Sequence, residues 1–394
     1  MGERTRSVNA DVLMWLLRNA RIFGPADMGV RDVLVGGGVV LAIGESLPTA
    51  PPAWPVTEVD CEGLWLFPGL IDGHTHLAGG GGEAGARTRV PAVPLSRFTM
   101  AGVTTAIGLL GTDCTTRSVA ELLACARGLG ELGFNALCYT GGYSLPTPTL
   151  TGSIRGDIVH VDRIIAVGEV AISDHRSSQP TYDEIIRLAS DAHVAGMMTQ
   201  KAGLLHLHVG DGPRGLSMVR RALSETEIPA RVFHPTHLNR NPSLWAEALA
   251  SDRHPCDITA FPPDDDDVLA GRAIHDWWSR QNDMQRLTMS SDGGGCLPTF
   301  DSAGSLVAMD VGSSHWLLPA VRDAVNLGVP LDAALATVTA NVAKLFRLQG
   351  KGVVAVGADA DLLLVTPEFE VKMTLCRGAV MVQDGKAVVR GVFE

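Results

Sequence analysis

Short apolar runs alternate with amphipathic stretches through the middle of the chain. The runs fall at 66–71, 104–110, 134–139, 164–172, 204–209, 231–233, 258–261 and 287–289. Between them, "SVAELLACARGLGELG" (118–133), "TYDEIIRLASDAHVAGMM" (181–198) and "LSMVRRALSE" (216–225) space their apolar residues as helices do. A near-continuous apolar run reads as a strand buried on both faces, and strands separated by helices build a parallel sheet. Eight such units predict an α/β fold, a closed (β/α)8 barrel of the TIM type. An open doubly wound sheet is the alternative, but no GxGxxG follows the first strand of a βαβ unit.

The two ends have a different texture. Residues 12–65 hold Val/Gly-rich runs such as "DVLVGGGVVLAIG", and 351–394 hold "DADLLLV" and "VKMTLCRGAVMVQDGKAVVRGVF". "QDGK" is a hairpin turn signal between alternating strands. The ends are expected to fold together as a small β-sandwich, residues 1–66 with 350–394, beside a barrel of residues 67–349. The run "DDDD" (264–267) after the seventh strand reads as a solvated helix N-terminus, where carboxylates suit the dipole.

Composition narrows the classes. With 394 residues, 46% hydrophobic and 19% charged, the chain can bury a large core. A net charge of −11 argues against a nucleic-acid surface, which needs clustered Lys and Arg. Nothing reaches the roughly 18 apolar residues of a membrane-spanning helix. "VLMWLL" is too short for a signal-peptide core and is followed at once by Arg18; Arg6 stands where a myristoylation motif wants Ser or Thr. The seven cysteines (61, 114, 125, 138, 256, 296 and 376) form no CxxC pair and are odd in number. Reduced thiols in a soluble cytoplasmic protein are expected.

The chemistry begins in "FPGLIDGHTHLAGGGGEAG" (67–85). Alternation along a strand aims His74 and His76 the same way, with Thr75 opposite. Two converging imidazoles suggest a metal, although core and loop histidines are common. Barrel chemistry sits at the carboxyl ends of strands. Strand four, "RIIAVGEVAIS", carries Glu169 inside an apolar run. Strand five, "LLHLHVGD", offers His206 and His208; strand six ends in "FHPTHLNRN", with His234 and His237; strand eight ends in "MSSDGGG", with Asp292. Of each pair the residue nearer the carboxyl end, His208 or His237, is the better ligand. His206 then points into the interior, and His234, by alternation, faces away. Six ligands exceed one open catalytic zinc and suit two divalent ions bridged by a carboxylate and a hydroxide. Asp292 can accept the hydroxide proton and pass it to the leaving group. Zinc is the default for His and carboxylate ligands, with Mn, Co and Fe compatible.

This pattern resembles the metal-dependent amidohydrolase superfamily and, within it, the isoaspartyl dipeptidase (β-aspartyl peptidase) family. The resemblance runs nearly the full length, through "GGGGEAG", "GLLGTD", "GSI", "AISDHR", "PTHLNRN", "SSDG" and "ADLLLVTPE". It implies hydrolysis of the isopeptide bond in β-aspartyl dipeptides by a metal-bridging hydroxide, in a homo-oligomer. His74 and His76 would hold the more buried metal with Asp292, and His208 and His237 the more exposed one, with Glu169 between. Glu83 would take the substrate α-amine; Arg176 and Arg240 would take carboxylates by the guanidinium fork. Thr112 would touch substrate, Tyr143 would stabilise the oxyanion, and the glycine loop, Gly81 included, would let backbone N–H groups approach the ligand. Two positions depart from the family. Glu169 replaces a carboxylated lysine, and Cys296, a weaker hydrogen-bond partner, replaces a substrate-touching serine. A bulge at Gly168 would give the shorter Glu169 side chain its reach. The alternative substrate class is a cyclic amide or N-acyl amino acid. A non-catalytic scaffold of this fold would be expected to have lost ligands, whereas all six positions carry them.

Overall fold

The computed structural model describes residues 14–262 apart from 25, 50, 52 and 53, together with 268–300 and 305–394; the 264–267 run lies outside the described residues. Eight parallel strands are present among them. Strands one to six, Leu70–Thr75, Val103–Gly108, Asn135–Thr140, Ile164–Ile172, Leu205–Val209 and Phe233–Thr236, pair in chain order as one sheet. Strands seven and eight, Cys256–Thr259 and Leu287–Ser290, pair with each other. Apart from Asn135 and Leu137 of strand three, the residues of all eight are buried, as the near-continuous apolar runs require. Two backbone links continue this order: Leu238 N–H donates to Asp257 C=O (3.2 Å), and beyond strand eight His76 N–H donates to Gly293 C=O (2.8 Å).

The amphipathic segments form the intervening helices, Val119–Glu131, Tyr182–Thr199 and Ser217–Glu225. The second begins with a capping box in which Thr181 and Glu184 satisfy each other's backbone N–H groups. No helix among the described residues is long and apolar enough to cross a membrane.

Strand boundaries moved in three places, strand seven starting at Cys256, two residues before its apolar run. The 66–71 run splits: Trp65–Pro68 belongs to the terminal sheet, antiparallel to Leu362–Val365, and strand one starts at Leu70. Gly69 makes the transition, where a Cβ would sit 2.3 Å from the Thr104 side chain. Strand six begins two residues later than its apolar run and ends three residues later. Pro235 interrupts the pattern, and a 3-10 turn, Ala230–Val232, occupies the expected start.

The chain ends do meet, in one nine-stranded sheet rather than two visibly separate ones. Alternation explains its stability. Leu66, Leu362, Leu364 and Leu375 point into a core of the sheet's own, with Leu17, Ile22, Val33 and Val35. Phe67, Leu363, Val365 and Cys376, on the other face of the same strands, join the core of the parallel strands and helices. The "QDGK" hairpin pairs Gln383 with Lys386, and Asp384 and Gly385 take the two positive φ angles (50° and 70°) of a primed turn.

Candidate metal centre

The carboxyl ends of the parallel strands bring His74, His76, Glu169, His208, His237 and Asp292 together, all buried. Glu169 lies between two histidine pairs. Its Oε1 is 3.6 Å from Nε2 of both His74 and His76, and its Oε2 is 3.3 Å from His208 Nδ1 and 3.6 Å from His237 Nε2. Asp292 Oδ1 closes the first pair, 2.9 Å from His76 Nε2 and 3.4 Å from His74 Nε2. Three triads of donor atoms lie within 4.8 Å of one another: His74/His76/Glu169, His74/His237/Asp292 and Glu169/His208/His237.

Local backbone puts these groups in place. The pairing of strand five with strand four slips between Leu205–Val167 and Leu207–Val170, so strand four bulges at residues 168 and 169. Gly168 runs at φ 151°, and a Cβ there would meet His206 Cβ at 2.7 Å. The bulge gives Glu169 its reach. His237 and Asp292 both take left-handed conformations (φ 62° and 53°) just past their strands. That twist removes His237 from the alternation of strand six. His234 consequently does not face away: it lies beside His206, with 3.0 Å between their Nδ1 atoms.

The donor set fits divalent cations. His74 Nε2, Glu169 Oε2 and Asp292 Oδ1 are buried without a hydrogen-bond partner, at the facing edges of the triads. Burial alone would lower the His74 pKa, yet Glu169 and Asp292 raise it to about 9, the sign of a place that calls for positive charge. Burial opposes the charge of Glu169, but its histidines hold it well below the usual carboxylate range. His237 is pushed down to about 4 by burial and stays neutral, as a ligand must. Its Nδ1 is 2.8 Å from Thr259 Oγ1, leaving Nε2 for the cation side.

Above this cluster opens a cavity of about 610 Å³, walled by Gly81, Glu83, Thr112, Tyr143, Arg176, Arg240 and Cys296. Gly81 runs at φ 77°, and a Cβ would strike Thr88 C=O at 2.3 Å. Glu83 Oε2 is buried without a hydrogen-bond partner, and Glu83 Oε1 lies 3.9 Å from Arg176. Burial and the nearby Glu83 carboxylate push the Cys296 thiol up to about 12, so it is present as a neutral thiol. Tyr143 Oη lies 2.7 Å from His208 Nδ1, and burial raises its pKa well above the usual phenol value. Arg240 reaches Asp211 (3.2 Å) and Val209 C=O (3.1 Å).

Sequence reasoning missed two residues here. Asp174 holds Arg176 through both carboxylate oxygens (3.1 and 2.7 Å) and sits 2.8 Å from His208 Nε2, linking a guanidinium of the cavity wall to a cluster histidine. Burial would raise its pKa, but His208 and Arg176 hold it far below the usual range. The Asp-x-Arg spacing was the available signal, since Asp174 Oδ1 also accepts the Arg176 N–H in a tight turn (2.7 Å). Gly111 is the other. A Cβ there would lie 2.7 Å from His76 Cε1 and 3.4 Å from Glu169 Oε1. In sequence it was one glycine among 44.

Residues 65–381 match the amidohydrolase family, and the chain belongs to it. Two solved structures of the β-aspartyl dipeptidase of the keratin-degrading thermophile Fervidobacterium islandicum AW-1 are similar over nearly the whole chain. The first, in complex with the β-Asp-Leu dipeptide, is 40% identical with a TM-score of 0.92, covering 96% of this chain and 98% of its own. The second is 38% identical with a TM-score of 0.86, covering 95% and 98%. Imidazolonepropionase of Methylobacterium sp. (strain 4-46) is 33% identical over 153 residues, which span 36% of this chain and 37% of that relative's length.

Proposed function

We propose that this chain is a binuclear metal-dependent hydrolase that cleaves the isopeptide bond of β-aspartyl dipeptides. The carrying observation is the match between cavity and substrate. A β-aspartyl dipeptide offers one free α-amine and two free carboxylates, and the cavity above the cluster presents Glu83, whose Oε2 is buried without a hydrogen-bond partner, with two guanidiniums, Arg176 and Arg240. The likeness to the β-aspartyl dipeptidase crystallised with β-Asp-Leu supports the same reading. So does the backbone link from strand eight to strand one, which suits a closed (β/α)8 barrel (67–349) beside a terminal β-sandwich domain (1–66 and 350–394). The unpaired cysteines suit a reducing, cytoplasmic compartment.

His74, His76 and Asp292 would hold one ion, His208 and His237 a second, and Glu169 would bridge; zinc suits these ligands. When bound, two such ions lower the pKa of a bridging water and polarise the scissile carbonyl. The protein's own groups do the rest. Glu83 takes the α-amine, and the arginines fix the carboxylates, which orients the side-chain amide over the cluster. Asp292 accepts the water proton and delivers it to the leaving amine. With His208 Nδ1 engaged as a ligand, the Tyr143 hydroxyl, kept protonated by burial, donates to the developing oxyanion. Thr112 and Cys296 line the same wall.

The test is turnover of β-Asp-Leu by zinc-loaded protein beside α-Asp-Leu, dihydroorotate and hydantoin. Selective turnover of the β-linked dipeptide is expected; preference for a cyclic amide would overturn the substrate assignment. Arg240→Ala should lower kcat/KM for β-Asp-Leu about 10–100-fold, the worth of one charged hydrogen bond, mainly through KM. Unchanged KM would remove Arg240 from carboxylate binding. Gly111→Ala should displace the His76 ring and reduce bound metal, read by elemental analysis; full occupancy would show that the pocket wall yields instead.

A further inference from the structure

Beneath the candidate metal centre, one side-chain layer deeper between the strands, runs a row of buried polar groups that the proposed reaction does not use. His206, His234, Thr288 and Asp257 are each at most 2% exposed. His74 Nδ1 lies 2.8 Å from His206 Nε2, His206 Nδ1 lies 3.0 Å from His234 Nδ1, and His234 Nε2 lies 3.0 Å from Thr288 Oγ1. Thr288 Oγ1 donates to Asp257 Oδ1 at 2.6 Å, while Thr236 and Ser290 donate to Asp257 Oδ2 at 2.7 and 2.6 Å. Tyr139 stacks on His206, ring centroids 5.0 Å apart.

We propose that this row is a directional hydrogen-bond relay that fixes the tautomer and aim of His74, so that its Nε2 presents a lone pair to a divalent cation. The proposal rests on the metal-dependent reading above. Its direction follows from counting protons. A cation on His74 Nε2 requires the ring proton on Nδ1, so His206 Nε2 must accept. A ring that accepts at Nε2 carries its proton on Nδ1 and donates to His234 Nδ1. His234 in turn carries its proton on Nε2 and donates to Thr288 Oγ1, whose own hydroxyl proton goes to Asp257. The row ends on a carboxylate that receives three hydroxyl donors. Every buried nitrogen and oxygen along it is paired in this direction. In the reverse direction His74 would carry its proton on Nε2, where it would face the cation. His206, His234, Thr288 and Asp257 are thus positioning residues for a ligand, acting through His74 rather than on substrate.

The decisive variant is Thr288→Val, which keeps the shape and deletes the link to Asp257. Zinc affinity, measured by competition with a chelator, should fall about 10–100-fold for one of two ions, the usual cost of losing a ligand's outer partner. Thr288→Ser should restore it. Wild-type affinity in Thr288→Val would overturn the relay. The ¹⁵N imidazole spectrum of zinc-loaded wild-type protein needs no variant and decides independently: His206 should be protonated at Nδ1, and protonation at Nε2 would refute the direction. A wild-type protein that binds zinc yet fails either test loses only the relay, whereas one that binds no zinc overturns the metal-dependent reading itself.

Discussion

Asp292→Asn is expected to lower kcat for β-Asp-Leu by ~10²–10⁴-fold, the range for removing a positioned general acid–base group. The substitution keeps size and shape and takes away the basic oxygen. Asp292 is held for that task by its surroundings. Its backbone is left-handed, its C=O accepts the Gly295 N–H at 2.8 Å, and a Cβ on Gly295 would lie 2.1 Å from Asp292 Oδ1. The loop after strand eight is therefore wrapped around the carboxylate, and its side chain has few other places to go. Strand one helps from behind: Asp72 accepts the Ser291 N–H at 3.1 Å and the Ser314 hydroxyl at 2.7 Å, which ties the end of strand eight to strand one. Because Asn can still bond a cation weakly, metal content must be measured alongside. A variant with both ions and near wild-type kcat would remove Asp292 from proton transfer. A variant with neither would show it chiefly as a ligand.

The parts of this site that were legible in the sequence were those governed by periodicity. Near-continuous apolar runs located the eight strands, and the polar residues interrupting their carboxyl ends located the cluster, because a buried strand has little reason to end in His or carboxylate otherwise. Where periodicity failed, backbone conformation was the cause. Alternation counted back from His237 misplaced His234 because His237, past the strand end, adopts a left-handed φ that breaks the count. Pro235 blurred the extent of the strand that carries His234. Asp174 was hidden for another reason: its Asp-x-Arg spacing gives only its local contact to Arg176, whereas its contact to His208 spans 34 positions and leaves no local pattern. The relay below His74 was equally invisible, since it joins residues from strands one, five, six, seven and eight.

Glu169→Ala is expected to lose the second metal outright and most activity with it. Metal content of the purified wild type should not depend on bicarbonate during reconstitution. The argument turns on where the lysines are. The chain has five, at 201, 344, 351, 372 and 386. A carboxylated lysine bridging two ions would have to reach the strand-four bulge, and these side chains are committed elsewhere. Lys201 gives its ammonium to the carbonyls of Ile158, Val161 and Ile164 (2.6, 2.8 and 3.0 Å), up to the first residue of strand four and so at the amino end of the sheet. Lys344 bonds Gln285, Lys351 pairs with Asp359 and Asp361, Lys372 pairs with Glu370, and Lys386 sits in the terminal hairpin. Glu169 instead divides its two oxygens between the two histidine pairs, at 3.3–3.6 Å, with one negative charge, the same charge a lysine carbamate would carry. A carboxylate this deeply buried would cost several kcal/mol without cationic partners, which two bound cations would supply beside the surrounding imidazoles. In Glu169→Ala the two histidine pairs lose their shared counter-charge, so elemental analysis should find at most one ion per chain. Two tightly held ions per chain in that variant, or a wild-type protein that needs bicarbonate to take up metal, would show that the bridge is built from some other group.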